Sequence, residues 1–164
     1  MSSIPVWSLV ALSNTGKTTF LEKLIPALRA MGLSVGVVKH DAHDFELDHE
    51  GKDTFRLSRA GAEVTAILSD TQFALREKRN LSPEEAVARV TGVDLILTEG
   101  FKHGPWPKLA LCREGSAPAV PLERCAALIT DAPCADCPIP LFPIDDPKPL
   151  ALWLAGQCKK EVTP

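Results

Sequence analysis

A glycine followed by lysine and threonine is the strongest chemical signal in the sequence. Gly16, Lys17 and Thr18 match the end of the phosphate-binding loop pattern G-x-x-x-x-G-K-[ST], with Ala11 at the position of the first glycine. In such a loop, successive backbone N–H groups surround a phosphate at a helix N-terminus. The lysine adds positive charge at the β- and γ-phosphates, and the threonine hydroxyl binds Mg²⁺. The pattern predicts a nucleotide site in which Lys17 and Thr18 act on the phosphates.

The elements around this turn are those that a phosphate loop requires. Residues Val6 to Leu12 form an apolar run that is typical of a strand buried on both faces. From Lys17 to Arg29 the apolar residues recur at helical spacing, and we expect Pro26 to kink or shorten the last turn. The order strand, turn, helix favours a phosphate loop over an ordinary turn.

A carboxylate ends a second predicted buried strand, Val93 to Thr98. Glu99 follows this strand directly, so we expect it at the same sheet edge as the phosphate loop, where it can hold Mg²⁺ together with Thr18. Lys17, Thr18 and Glu99 are therefore the predicted catalytic residues. Asp94 lies at the other end of the strand and is expected to be a solvated or capping residue.

A polar segment, residues 40–53, follows the predicted strand Leu33 to Val38 and holds six acidic residues and three histidines. Histidine and carboxylate both bind divalent ions, which permits a metal-binding loop, but a solvated loop has the same composition. Lys39 and Asp41 are closest to the strand end. We expect Lys39 to reach phosphate and Asp41 to reach Mg²⁺.

Base recognition is the weakest part of the pattern. The sequence has no N-K-x-D string, which reads guanine in many GTPases. Asp131 follows the predicted strand Ala126 to Thr130 and is a candidate for accepting hydrogen bonds from guanine, although a turn residue could have the same position.

The alternation of strands and helices predicts an α/β fold. We expect a P-loop NTPase-like three-layer domain, with a mostly parallel sheet and an irregular Pro-rich C-terminal third. Residues 4–104 are the expected nucleotide-binding core of a single domain spanning 1–164, and residues 105–164 complete the sheet. The other predicted elements are helices at about Lys52–Ala60, Pro83–Thr91 and Pro147–Cys158, and strands at Val64–Leu68, Leu109–Cys112 and Leu141–Ile144.

Composition excludes several classes of function. The formal net charge of −3 and the absence of Tyr argue against nucleic-acid binding. No apolar run reaches about 18 residues and no signal-like N-terminus is present, so we expect a cytoplasmic protein that does not enter membranes. All five Cys lie after residue 105, and the single pair Cys134 and Cys137 lacks the second half of a zinc site.

The motifs together resemble the molybdopterin-guanine dinucleotide biosynthesis protein B (MobB) family over about residues 4 to 113. The resemblance implies a homodimeric GTP-binding protein with weak GTPase activity. It implies action beside the nucleotidyltransferase MobA, which joins GMP to molybdopterin, and contact with molybdopterin itself is open. The loop residues it assigns to the nucleotide are Ser13, Asn14, Thr15, Gly16, Lys17, Thr18 and Thr19. The resemblance rests on these, on Lys39-His40, Asp44, Asp48, Gly51-Lys52-Asp53-Thr54 and Ala60-Gly61-Ala62, and on Leu97-Thr98-Glu99-Gly100-Phe101-Lys102.

Two other functions fit the same loop. A small-molecule kinase would use it for phosphoryl transfer, but the arginines at 56, 59, 76 and 79 do not form a recognisable lid. A metal-inserting GTPase chaperone would use the histidines of residues 40–53. The sequence also offers no obvious arginine finger, so hydrolysis is expected to be slow without a partner.

Overall fold

Eight strands and four α-helices make up the described residues, which are 4–41, 45–134 and 136–160 of a computed structural model. The strands are β1 (Val6–Val10), β2 (Val35–Lys39), β3 (Val64–Leu68), β4 (Phe73–Glu77), β5 (Leu95–Glu99), β6 (Lys108–Cys112), β7 (Cys125–Thr130) and β8 (Leu141–Pro143). The helices are α1 (Lys17–Ala30), α2 (Asp53–Arg59), α3 (Pro83–Ala88) and α4 (Lys148–Lys160), and a 3₁₀ turn spans Leu122–Arg124.

The main sheet contains six strands in the order β2-β5-β1-β6-β7-β8, and its strand pairs are parallel. Every residue of β5 and β6 is buried, as expected for strands that are covered on both faces. The α/β class and the mostly parallel sheet predicted from the sequence are confirmed. Strand order alone brings the ends of β1, β2, β5 and β6 to one edge, which is where the candidate site lies.

Helices α1 and α4 pack on the same face of this sheet. Helix α1 buries Phe20, Leu21, Leu24 and Leu28, which recur at the spacing that the sequence predicted. Leu150, Ala151 and Leu154 of α4 join them in one core with the inward residues of β1, β5, β6 and β7. Burial of each such leucine contributes roughly 1.5–3 kcal/mol to folding. This packing holds α1, whose N-terminus follows the phosphate loop, against the sheet.

Residues 41–82 form a second compact unit, separate from the unit made by residues 1–40 and 83–164. Here β3 pairs with β4 in an antiparallel hairpin and contributes nothing to the main sheet, among the strands described. Strand β3 was predicted from the sequence, whereas β4 was not. The expectation of a single domain with a nucleotide-binding core at residues 4–104 and a sheet-completing segment at 105–164 stays a prediction.

Pro26 does not shorten α1, whereas α3 is shorter than predicted. Helix α1 continues past Pro26 to Ala30. Pro26 has no N–H to donate to the carbonyl of Glu22 four residues earlier. Because Glu22 is exposed, water can donate to that carbonyl instead. Helix α3 starts at Pro83 as predicted but ends at Ala88, short of Thr91. Across the described chain, no helix is both long enough and apolar enough to traverse a bilayer.

Candidate functional site

The turn between β1 and α1 has the backbone of a loop that wraps an anion. Asn14 and Gly16 both have left-handed backbone angles, with φ of 60° and 97°. Gly16 tolerates this conformation because it lacks a Cβ, and Asn is one of the few other residues that adopt it readily. Thr15 fixes the turn from inside by donating its hydroxyl to the carbonyl of Leu12 at 2.8 Å. The predicted loop residues are thus brought together at the start of α1.

The N-terminus of α1 has its donors available. In the described structure no side chain caps the helix at Gly16, and the first turn, with Lys17, Thr18 and Thr19, contains no acidic residue. The first N–H groups of a helix lack internal partners and carry the positive end of the helix dipole. The ammonium of Lys17 lies back over the loop, 3.2 Å from the carbonyl oxygen of Leu12. This arrangement is able to bind phosphate oxygens.

Thr18 and Glu99 meet at the loop, although 81 residues separate them in the sequence. The hydroxyl of Thr18 donates to Oε1 of Glu99 at 2.9 Å. Glu99 ends β5 next to β1, in register with Leu9, and is only 8% exposed. Hydroxyl and carboxylate oxygens are the ligands that Mg²⁺ prefers. The contact gives the two predicted metal ligands a common location.

Lys39 and Asp41, the two residues predicted to reach the nucleotide from the end of β2, fall in different units of the chain. Lys39 ends β2 in register with Glu99, and its neighbour His40 donates its backbone N–H to the Glu99 carbonyl at 3.0 Å. Asp41 begins the second unit, and its proposed contact with Mg²⁺ stays a prediction. Asp44, one of the resemblance residues, falls outside the described residues, as do 42 and 43. Asp94, by contrast, accepts hydrogen bonds from Ser34 at the far end of β5, as expected for a capping residue.

Asp131 is at the predicted edge, but its carboxylate already has partners. One oxygen accepts the backbone N–H of Glu114 at 2.6 Å, and the other accepts Nη1 of Arg113 at 3.0 Å. These hydrogen bonds, first that of Glu114 and then that of Arg113, hold the pKa of Asp131 below its ordinary value. Its role as a guanine ligand stays a prediction.

Arg113 is a site residue that the sequence analysis missed. Its Nη2 atom lies 3.7 Å from the point that a Cβ on Gly16 would occupy, so the guanidinium is beside the phosphate loop. Arg113 directly follows β6, which pairs with β1. The sequence signal for Arg113 is a charged residue that directly follows a strand, β6, next to the strand that leads into the phosphate loop. Strand order, which is not local information, was needed to use it.

Aromatic side chains line the turn after Glu99. His40 and Phe101 meet edge to face with ring centroids 5.0 Å apart, and Phe101 meets Trp106 in the same way at 5.6 Å. Gly100 and Phe101 have φ of 97° and 57°, which turns the chain sharply at the edge. Such pairs stabilise an arrangement by about 0.5–1.5 kcal/mol beyond burial. The sequence analysis did not predict this cluster.

The thiols form no centre that the site requires. The five cysteines are free, and the pKa of Cys134 is raised, mainly by its hydrogen bond with Cys137. Within the described ranges no group of three or more His, Cys, Asp or Glu side chains is placed to hold a metal ion.

The chain resembles known proteins in both sequence and fold. Residues 6–131 match the sequence model of MobB, described as molybdopterin guanine dinucleotide synthesis protein B. A protein from Escherichia coli (strain K12) named molybdopterin-guanine dinucleotide biosynthesis adapter protein is 36% identical over 172 residues, which cover 96% of this chain and 95% of the relative. This chain belongs to the MobB family.

Other members show how far the likeness extends. An adapter protein of the same name from Haemophilus influenzae is 36% identical over 124 residues, covering 73% of this chain and 70% of the relative. The crystal structure of Bacillus subtilis MobB superposes with a TM-score of 0.73 at 29% identity, and covers 92% of this chain and 96% of that one. The likeness in fold thus covers more of the chain than the family match in sequence, which spans residues 6–131.

Proposed function

We propose that this MobB-family chain is a GTP-binding adapter protein of molybdopterin guanine dinucleotide biosynthesis with weak Mg²⁺-dependent GTPase activity. The observation that carries the nucleotide site is the Thr18–Glu99 hydrogen bond at the uncapped N-terminus of α1. The adapter role is supported by the names of the E. coli and H. influenzae relatives.

Each residue of the proposed site has a separate task. The N–H groups from Ser13 to Thr19 surround the phosphates, and the ammonium of Lys17 leaves the Leu12 carbonyl to pair with them. Thr18 and Glu99 hold Mg²⁺, with Asp41 as a further proposed ligand, and Lys39 reaches the phosphates from the end of β2. When bound, Mg²⁺ neutralises charge on the β- and γ-phosphates.

In this proposal Arg113 promotes GTP hydrolysis and Asp131 limits that effect, so the overall rate is slow. A guanidinium beside the γ-phosphate stabilises charge in the transition state, and Arg113 is next to Gly16. Asp131 forms an ion pair with that guanidinium at 3.0 Å, which partly neutralises the positive charge available to the γ-phosphate. If Asp131 also reads guanine, it must exchange its present donors, Arg113 and the Glu114 N–H, for those of the base.

The adapter role requires partners, and we propose a homodimer that acts with a MobA-type nucleotidyltransferase and with molybdopterin. The hairpin unit supports an interface because apolar side chains there are in contact with solvent. Leu68 is 77% exposed and Phe73 is 64% exposed. Exposed apolar patches commonly mark association surfaces.

Titration calorimetry with GTP and with ATP, each with Mg²⁺, tests nucleotide choice. We expect GTP to bind more tightly than ATP. Phosphate release is then measured with and without MobA and molybdopterin, and we expect slow release from the chain alone. Preferential ATP binding with rapid transfer to a small acceptor would instead establish a kinase and overturn the proposal.

A further inference from the structure

A small pocket lies on the face of the main sheet that α1 and α4 leave open. Side chains alternate along a strand. Leu109 and Leu111 of β6 pack in the core with α1 and α4, whereas Lys108 shares the other face with Ala110 and Cys112. The pocket has a volume of about 220 Å³ and its lining includes Lys102, His103, Trp106, Lys108, Val120 and Arg124. It is thus separate from the phosphate loop.

The lining is strongly cationic. Lys102, Lys108 and Arg124 bring three positive charges to the pocket, with His103 beside them, and no acidic residue is among the described residues that line it. Nor does any carboxylate of the described chain form an ion pair with these three cations within 4.0 Å. A concave surface lined by charges of one sign focuses the electric field and attracts ions of the opposite sign.

Lys108 is the most informative residue of the pocket because it is buried. It is 6% exposed, and its ammonium donates to the carbonyl oxygens of Gly104 and Trp106, each at 2.6 Å. An ammonium has three protons, so one remains for a ligand. Burial lowers the pKa of Lys108, the neighbouring Cys125 partly offsets this by raising it, and the charge of Arg124 lowers it further. A buried cation without a counter-ion is costly, and an anion in the pocket would remove that cost.

We propose that this pocket binds a phosphate dianion, either free phosphate or the phosphate group of a small phosphorylated molecule. Lys108 and Arg124 pair with its oxygens, and the exposed Lys102 adds a third positive charge. Whole-ligand sites usually measure about 300–1,000 Å³. The pocket, at about 220 Å³, therefore fits a phosphate group and not an entire nucleotide. The proposal does not depend on the function proposed above, because the residues that it uses are different.

The test is titration calorimetry of the full chain with inorganic phosphate and, separately, with phenyl phosphate. Saturating GDP and Mg²⁺ are present to fill the phosphate loop, and repeating the titration in Lys17→Ala without nucleotide removes any contribution of that loop. We compare the wild type with Arg124→Gln, a change at an exposed position, and with Lys108→Met, and circular dichroism checks that both variants fold. Lys148→Gln is the matched control, because it removes one charge from α4 on the opposite face.

We expect Arg124→Gln and Lys108→Met each to weaken phosphate binding at least tenfold, and Lys148→Gln to leave it unchanged. Tighter binding of phenyl phosphate than of phosphate assigns the pocket to a phosphorylated molecule, and the reverse order assigns it to free phosphate. No saturable binding of either probe, or equal binding by wild type and Arg124→Gln, overturns the proposal. A Lys17→Ala protein that loses GTP binding but still binds phosphate would support both proposals, because the two sites then act independently. A Lys17→Ala protein that still binds GTP would contradict the proposed function alone.

Discussion

Arg113 is the residue whose charge acts most directly on the proposed chemistry. It lies against Gly16, and its partner Asp131 anchors it from the end of β7. Half of its side chain is exposed to solvent, so we expect only a small loss of stability when it is removed. Removing it changes the field at the γ-phosphate while the N–H groups of the loop still bind the nucleotide.

Arg113→Ala is therefore expected to slow GTP hydrolysis by about tenfold or more, with a smaller effect on GTP affinity. Single-turnover phosphate release and calorimetric affinity, measured on the same preparation, separate the two effects. Arg29→Ala, which removes a charge from the last turn of α1, is the control and should hydrolyse GTP at the wild-type rate. An unchanged rate in Arg113→Ala would exclude a contribution of this guanidinium to hydrolysis.

Strand β2 contains a glycine, Gly36, that lets the strand pack closely against Val90 and Val93. A Cβ on Gly36 would lie 2.4 Å from Cγ1 of Val90 and 3.3 Å from Cγ2 of Val93. Valine side chains have little rotamer freedom with which to move away. The strand that carries Lys39 to the site thus depends on the absence of a side chain at Gly36.

Gly36→Ala is expected to lower the free energy of unfolding by about 1–3 kcal/mol, as overpacked sites do. The same change at Gly156 of α4 is the matched control. A Cβ there meets nothing within 4 Å, so the helix should gain about 0.4–1 kcal/mol. Urea unfolding of the two variants measures both values, and equal stability changes would show that Gly36 has room for a Cβ.

The sequence could predict the elements whose signal is local. Gly16, Lys17 and Thr18 follow a buried run and precede a helical repeat, and Glu99 follows another buried run, so each could be assigned to the same sheet edge. Strand β4 and Arg113 could not be found in this way. The partner of β4 is β3 of the hairpin, and the neighbour of Arg113 is set by the order of β1 and β6, neither of which a single stretch of sequence contains.

At the scale of the whole molecule, the hairpin unit is where association is expected. Its strands expose apolar side chains on both β3 and β4, and a two-stranded hairpin is only marginally stable alone. A second copy of the chain that covers this surface would both bury it and stabilise the hairpin.

Leu68→Asp is therefore expected to shift the protein from dimer toward monomer, because a charge in an apolar interface is costly. Light scattering after size-exclusion chromatography gives the mass directly. Leu152→Asp on α4, where the leucine is 63% exposed, is the control and should keep the wild-type mass. The interface assignment would be refuted by a Leu68→Asp protein that remains dimeric at the same concentration.

The loop between β1 and α1 is proposed to bind the nucleotide phosphates, and titration calorimetry of Lys17→Ala with GTP and Mg²⁺ tests this proposal. Lys23→Ala, an exposed lysine on the same helix, is the matched control, and circular dichroism checks that both variants fold. We predict that Lys17→Ala loses at least a hundredfold in affinity while Lys23→Ala binds as the wild type does. GTP binding of wild-type strength in a folded Lys17→Ala protein would contradict the account.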